Sequence, residues 1–140
     1  MTVSVARLGF IGCGSFATSR IFPQIPLIPE IDLVGVCDIV REKAERNARN
    51  FGARRVYTDL HQMLDHEKLD GVFVIGPAPQ QYALAPEVLQ CGIPVYVEKP
   101  SANTSAEARE LAELAEANGV WGQCGFMKRF ADAYTIAKEI

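Results

Sequence analysis

Val5-Ala6-Arg7-Leu8-Gly9-Phe10-Ile11-Gly12-Cys13-Gly14-Ser15-Phe16-Ala17 is the stretch whose reading decides the fold. Its first seven residues read as a buried strand, and the chain then turns sharply through Gly12-x-Gly14-x-x-Ala17 into a helix. Gly12 permits the tight turn, Gly14 lets the backbone approach a ligand closely, and Ala17 lets the helix pack on the strand. The first N–H groups of that helix, near Ser15 and Phe16, face outward with a partial positive charge and favour a phosphate.

Glycine turns are common punctuation, so the motif alone is weak evidence and its context has to carry it. A second apolar run, Ile31-Asp32-Leu33-Val34-Gly35-Val36-Cys37, ends in Asp38, 24 residues after Gly14. An acid at that strand end is placed to accept hydrogen bonds from a ribose 2′-hydroxyl. Strand, glycine turn, helix, strand and acid together form a dinucleotide fingerprint.

The alternation continues to the end of the chain. Expected strands are Val5–Ile11, Ile31–Cys37, Arg54–Tyr57, Gly71–Ile75, Pro94–Glu98 and Val120–Gly125. Expected helices are Arg41–Phe51, Asp59–Asp65 capped by Thr58, Gln80–Cys91 and Ser105–Asn118, with the Pro23 to Pro29 stretch as a loop. Such alternation requires right-handed crossovers, hence an α/β, doubly wound parallel six-stranded sheet of the Rossmann type in the order 3-2-1-4-5-6. Ligands then bind outside the carboxyl ends of the strands. There the glycine loop, Asp38, Gly76-Pro77-Ala78, Glu98-Lys99-Pro100 and Gly125-Phe126-Met127-Lys128-Arg129 are expected to line one crevice. In that position Lys99 can hold a substrate oxygen or polarise a carbonyl.

The bulk properties exclude other classes. With 140 residues, 49% of them hydrophobic, the chain reads as one domain, residues 1–140, with a real core. A net charge of −3 leaves no field for nucleic acid. The cluster of Arg41, Lys43, Arg46, Arg49, Arg54 and Arg55 is interleaved with Glu42 and Glu45, as on a solvated helix face. No apolar run approaches the about 20 residues of a membrane span. Met1-Thr2-Val3 leads directly into the first strand without a signal-peptide pattern. Cys13, Cys37, Cys91 and Cys124 are widely spaced, and His61 and His66 share one helix, so no metal site is expected and a reducing cytoplasm fits best.

Taken together, Gly9-Phe10-Ile11-Gly12-Cys13-Gly14, Val36-Cys37-Asp38, Val56-Tyr57-Thr58-Asp59, Gly92-Ile93-Pro94-Val95, Glu98-Lys99-Pro100 and Gly125-Phe126-Met127-Lys128-Arg129-Phe130 resemble the Gfo/Idh/MocA group of oxidoreductases. The resemblance spans essentially the whole chain and implies an NAD(P)-dependent enzyme acting on sugars, polyols or related hydroxy compounds. It places Lys99 beside the nicotinamide and the reacting hydroxyl, with Glu98 contacting the cofactor. The expected cofactor-binding set is Gly9, Gly12, Cys13, Gly14, Ser15, Phe16, Asp38, Arg41, Gly76, Pro77, Gln81, Glu98 and Lys99. Asp38 favours NAD, whereas Arg41, three residues on, can neutralise a 2′-phosphate and leaves NADP open.

Two departures from the family pattern stand out. Gly76-Pro77-Ala78-Pro79-Gln80-Gln81 replaces the usual Thr-Pro-Asn-x-x-His, so Gln81 takes the histidine position and is expected to keep a polar contact near the cofactor. Family members also continue into a substrate domain, whereas this sequence stops at Ala137-Lys138-Glu139-Ile140, inside the helix expected to lead there. The isolated chain is therefore expected to bind cofactor with little turnover, and a non-catalytic dinucleotide-sensing module is the alternative. Phe126, Phe130, Tyr134 and Ile136, left bare, favour a homo-oligomer.

Overall fold

A computed structural model describes residues 4–139, so the 1–3 lead and Ile140 lie outside the described residues. Six parallel strands form one sheet: β1 (Ala6–Ile11), β2 (Ile31–Cys37), β3 (Arg55–Tyr57), β4 (Gly71–Val74), β5 (Val95–Val97) and β6 (Gly122–Cys124). Their order is β3-β2-β1-β4-β5-β6, as the alternation of the sequence requires. The helices are α1 (Arg41–Phe51), α2 (Leu60–His66), α3 (Ala78–Gln90), α4 (Ser105–Ala117) and α5 (Asp132–Glu139).

Successive side chains of a strand point to opposite faces, and both faces of this sheet are covered. On one face Phe10 stacks on Phe22 with ring centroids 4.0 Å apart, and Val36, Ile25 and Ala44 complete that layer. On the other face Ile11, Val72, Val74 and Val97 pack with Met63 of α2 and Val88 and Leu89 of α3. Gly9 and Gly35 serve this second layer. A Cβ on either would lie 3.1 Å from Met63, so the two glycines let the buried methionine settle against the strands.

Two local expectations are corrected. Residues Pro23 to Pro29 are not simply a loop: a π-helical turn (Ala17–Ile21) runs into a 3₁₀ helix (Phe22–Leu27). Pro23 occupies the start of that helix, where no N–H bond is needed, and the helix buries Phe22 and Ile25. The cap of α2 is Asp59 rather than Thr58, because its Oδ1 accepts the His61 N–H at 2.8 Å. At α4 a reciprocal capping box joins Thr104 and Glu107 and sets the exit of the chain from the Lys99 loop.

The register positions the site. Ile11 pairs with both Cys37 and Val74, Cys37 with Tyr57, Val74 with Val97, and Val97 with Cys124. The residues one step beyond these pairs, Thr58, Asp38, Gly12, Ile75, Glu98 and Gly125, therefore form one row along the carboxyl edge of the sheet. Every segment that the sequence marked for chemistry leaves the sheet from this row.

Candidate functional site: a crevice along the strand exits

Gly12 turns the chain with φ +95°, and a Cβ there would sit 1.9 Å from the Ile75 carbonyl oxygen. No other residue fits so close to a neighbouring strand in that conformation. The loop's own N–H groups divide between internal and outward work. Gly12 donates to the Cys37 carbonyl at 2.9 Å, and Cys13 donates to Asp38 Oδ2 at 2.7 Å. The next residues, Gly14, Ser15 and Phe16, begin the helix and line the crevice, and the N–H groups of a first turn have no partner in the helix itself.

Gly14 is the opposite case to Gly12. Nothing lies within 4 Å of where its Cβ would project, so the space beside it is open. That space belongs to a cavity of about 340 Å³ lined by Gly14, Ser15, Phe16, Ala17, Ile75, Gly76, Pro77, Glu98 and Lys99. A second cavity, about 310 Å³, lies on the other side of Gly12, between Asp38, Ile39, Thr58, Leu60 and Leu84. A glycine loop flanked by two recesses, one with an acid and one with a lysine, fits an elongated ligand with a phosphate-like centre.

Asp38 is locked before any ligand arrives. Its Oδ2 accepts from Cys13 and its Oδ1 accepts the Val40 N–H at 2.8 Å, each oxygen keeps a lone pair that neither bond uses, and the residue lines the recess. Burial, reinforced by the Asp38 charge, pushes the Cys13 thiol up to about 12 and the Cys37 thiol to about 11. Both stay protonated at neutral pH, so neither acts as a thiolate nucleophile beside the loop.

On the other side, Glu98 is buried, and its carboxylate is held at both oxygens. The Tyr96 hydroxyl donates to Oε1 at 3.1 Å and the Lys99 N–H donates to Oε2 at 3.0 Å. Burial, aided by the Glu98 charge, pushes the Tyr96 phenol up to about 12, so Tyr96 remains the donor. Gly125 makes room for this pair, since a Cβ there would lie 2.3 Å from Tyr96 Oη and 2.7 Å from Glu98 Oε1.

Of the residues expected at the cofactor, Gly12, Gly14, Ser15, Phe16, Asp38, Gly76, Pro77, Glu98 and Lys99 line the two recesses. Four others sit elsewhere. Gly9 serves the core beneath Met63. Cys13 is fully buried under the loop and spends its N–H on Asp38. Arg41 projects from the first turn of α1 and pairs with Glu45 at 3.5 Å. Gln81 is fully buried, and both ends of its amide are bonded to backbone of the Lys99 loop, so its polar contact is made beneath the crevice.

Sequence reasoning missed the apolar wall of the Asp38 recess. Ile39 is 88% exposed immediately after the acid, and Thr58, Leu60, Gln80, Ala83 and Leu84 complete the lining. The signal was present: a bare isoleucine at a strand exit has no packing reason to be there. A larger recess, about 480 Å³, lies between α3, α4 and strands β5 and β6 and includes Trp121. It is mostly apolar and lacks the glycine loop, so it does not share the crevice's chemistry. Among the described residues no group of three or more potential metal ligands lies together, and no helix is long and apolar enough to cross a membrane.

Comparison with known proteins agrees with this geometry. Residues 6–126 match the Gfo/Idh/MocA family, described as an oxidoreductase family with an NAD-binding Rossmann fold. The chain is 29% identical over 137 residues to the scyllo-inositol 2-dehydrogenase (NAD(+)) of Bacillus subtilis (strain 168), covering 98% of this chain and 38% of that protein. It is 33% identical over 141 aligned positions to the D-glucoside 3-dehydrogenase of Escherichia coli (strain K12), covering 100% of this chain and 40% of that one. The structure of myo-inositol 2-dehydrogenase from Lactobacillus plantarum superposes with a TM-score of 0.86 at 27% identity, over 98% of this chain and 41% of that chain. The chain thus spans about two fifths of the length of these relatives. Glycine loop, acid, Glu-Lys-Pro exit, strand order and matched span converge: the chain belongs to the Gfo/Idh/MocA oxidoreductase family and is its NAD-binding Rossmann domain.

Proposed function

We propose that this chain is the cofactor-holding part of a dehydrogenase that moves a hydride between NAD and a hydroxyl group of a sugar, polyol or related compound. The observation that carries the reading is the row of strand exits, with Asp38, Gly12, Ile75 and Glu98 following the neighbouring strands β2, β1, β4 and β5, Lys99 directly after Glu98, and an open recess on each side of the loop. In this reading Asp38 accepts from the ribose hydroxyls and Ile39 covers the adenine. The N–H groups of Gly14, Ser15 and Phe16 hold the pyrophosphate, and Gly76, Pro77 and Glu98 bound the nicotinamide half. When bound, the nicotinamide ring supplies the hydride acceptor or donor. Lys99 holds the substrate oxygen with its ammonium and favours the negative charge that develops there.

Arg41 is tied to Glu45 and the recess presents a carboxylate, which supports NAD over NADP. Further polypeptide supplies the wall that selects the substrate. Its docking face includes Phe126, Phe130, Tyr134 and Ile136, each more than half exposed. The same face brings copies of this chain together when it is bare, a tendency that light scattering over a concentration series measures. Four free cysteines, two of them in the core, fit the reducing cytoplasm.

The test is Lys99→Ala in a polypeptide that carries both the chain and its substrate-selecting part. Turnover falls by about 100-fold or more, while NADH affinity changes by only a few-fold. Unchanged turnover removes Lys99 from the chemistry. NADH binding without turnover of any sugar or polyol by the unsubstituted protein points instead to a sensing module.

A further inference from the structure

Gln81 is the one fully buried side chain of α3 with a polar end, and all of that end is used. Its Nε2 donates to the Glu98 carbonyl at 2.9 Å and to the Pro100 carbonyl at 3.1 Å. Its Oε1 accepts the Glu98 N–H at 2.6 Å. Two donors and an acceptor on one flat group match the backbone on both sides of Lys99. The orientation of the amide is forced, since turning it over would face NH₂ against an N–H and oxygen against two carbonyls. No other ordinary side chain of this length presents that set: glutamate cannot donate and methionine can do neither.

The rest of the loop has few other restraints. The Lys99 N–H bonds to Glu98 within the same segment, and Pro100 has no N–H to give. Tyr96 fixes the Glu98 carboxylate, not the backbone that carries Lys99. We infer that Gln81 is a positioning residue: it holds the Glu98–Pro100 backbone from below, so that Lys99 and Glu98 face the Gly14 recess. The inference rests on the reading of that recess as the nicotinamide half of the site. Gln81 touches neither cofactor nor substrate and acts through the loop.

Gln81→Met keeps the length and removes all three bonds. Two measurements on the 140-residue chain test it. In the absence of ligand, amide exchange at Glu98 quickens by about 10-fold or more in the variant, while Val74 and Val72 on the neighbouring strand keep their rates. Titration with NADH and with ADP-ribose separates the two halves of the crevice. The variant loses about 10-fold toward NADH and less than about twofold toward ADP-ribose, which lacks the nicotinamide. Equal losses for both ligands, or an unchanged Glu98 amide, overturn the inference.

If the variant does not fold, the unsubstituted chain decides by itself. The Gln81 side-chain NH₂ protons and the Glu98 N–H exchange slowly if the clamp is made, and rapid exchange at both overturns it. An unsubstituted chain that binds ADP-ribose as tightly as NADH defeats the nicotinamide reading of the recess. In that case the exchange data still support or overturn the clamp.

Discussion

On one side of the glycine loop a charged side chain on a strand exit steadies the site: Asp38 takes the Cys13 and Val40 N–H groups at 2.7 and 2.8 Å. On the other side a neutral amide from a helix does it: Gln81 takes three backbone groups that flank Lys99. Asp38 both builds the site and faces its recess. Gln81 builds the site from a position that the recess does not reach. The difference teaches that a first turn of helix can be as important to a ligand crevice as the residues that line it. It also separates the two halves experimentally, because a change to one clamp leaves the other intact.

The largest effect belongs to the hinge that both halves share. Gly12→Ala drives a Cβ into the Ile75 carbonyl and demands a left-handed alanine, so about 3 kcal/mol or more of stability is lost, and urea melts measure it. A variant as stable as the unsubstituted chain breaks the account of the turn.

Next comes the Asp38 half. Asp38→Ala removes a charged acceptor and lowers NAD affinity by about 10- to 100-fold, and NADP affinity by clearly less, because the carboxylate also repels a 2′-phosphate. Equal losses for NAD and NADP in parallel titrations contradict the assignment of the acid.

A smaller effect probes the Lys99 half. Gly125→Ala pushes against Tyr96 Oη and the Glu98 carboxylate, at a cost of about 1–3 kcal/mol in stability. NADH binding weakens several-fold while ADP-ribose binding holds, and a loss in both places Gly125 in the general scaffold.

The smallest effect appears at high pH. The buried Cys13 and Cys37 thiols have folded values of about 12 and 11 against an ordinary 9.0, so the folded chain keeps protons that the unfolded chain releases. Their contribution is whole below pH 9 and is lost as pH rises toward 11 and 12. Denaturant midpoints therefore fall across that window, together with the part due to Tyr96, and Cys13→Ala makes the fall shallower. Disulfide-exchange reagents at pH 8 label Cys91, which is exposed, well before Cys13 or Cys37.

Much of this was legible in the sequence, for physical reasons. β2 and α1 begin and end where the apolar run, Asp38 and Gly52 set them, and a parallel sheet of such strands has one allowed hand. The row of strand exits followed from that order. Residues 22–27 were hidden because Pro23 and Pro26, with Pro29 just beyond, argue for a loop, while the buried pair Phe22 and Ile25, three apart, argues more quietly for a 3₁₀ turn. The resemblance pointed to a polar contact at Gln81, but nothing in the sequence showed that its partners are the backbone of the Lys99 loop. These backbone groups lie 17 and 19 residues away, and any sequence there would supply them. Trp121 precedes β6 and lines the recess beside α4, not the crevice, so the fluorescence of NADH itself is the better binding signal.

The central claim is that the open space beside Gly14 holds the dinucleotide, and NADH titration of the unsubstituted chain and of Gly14→Val tests it most directly. Nothing lies within 4 Å of the new side chain's first carbon, so the variant stays folded with a stability change of about 1 kcal/mol or less, while its side chain fills the recess. The account predicts saturable NADH binding to the unsubstituted chain and a loss of about 100-fold in the folded variant. Equal binding by the two, or no binding by the unsubstituted chain, would contradict it.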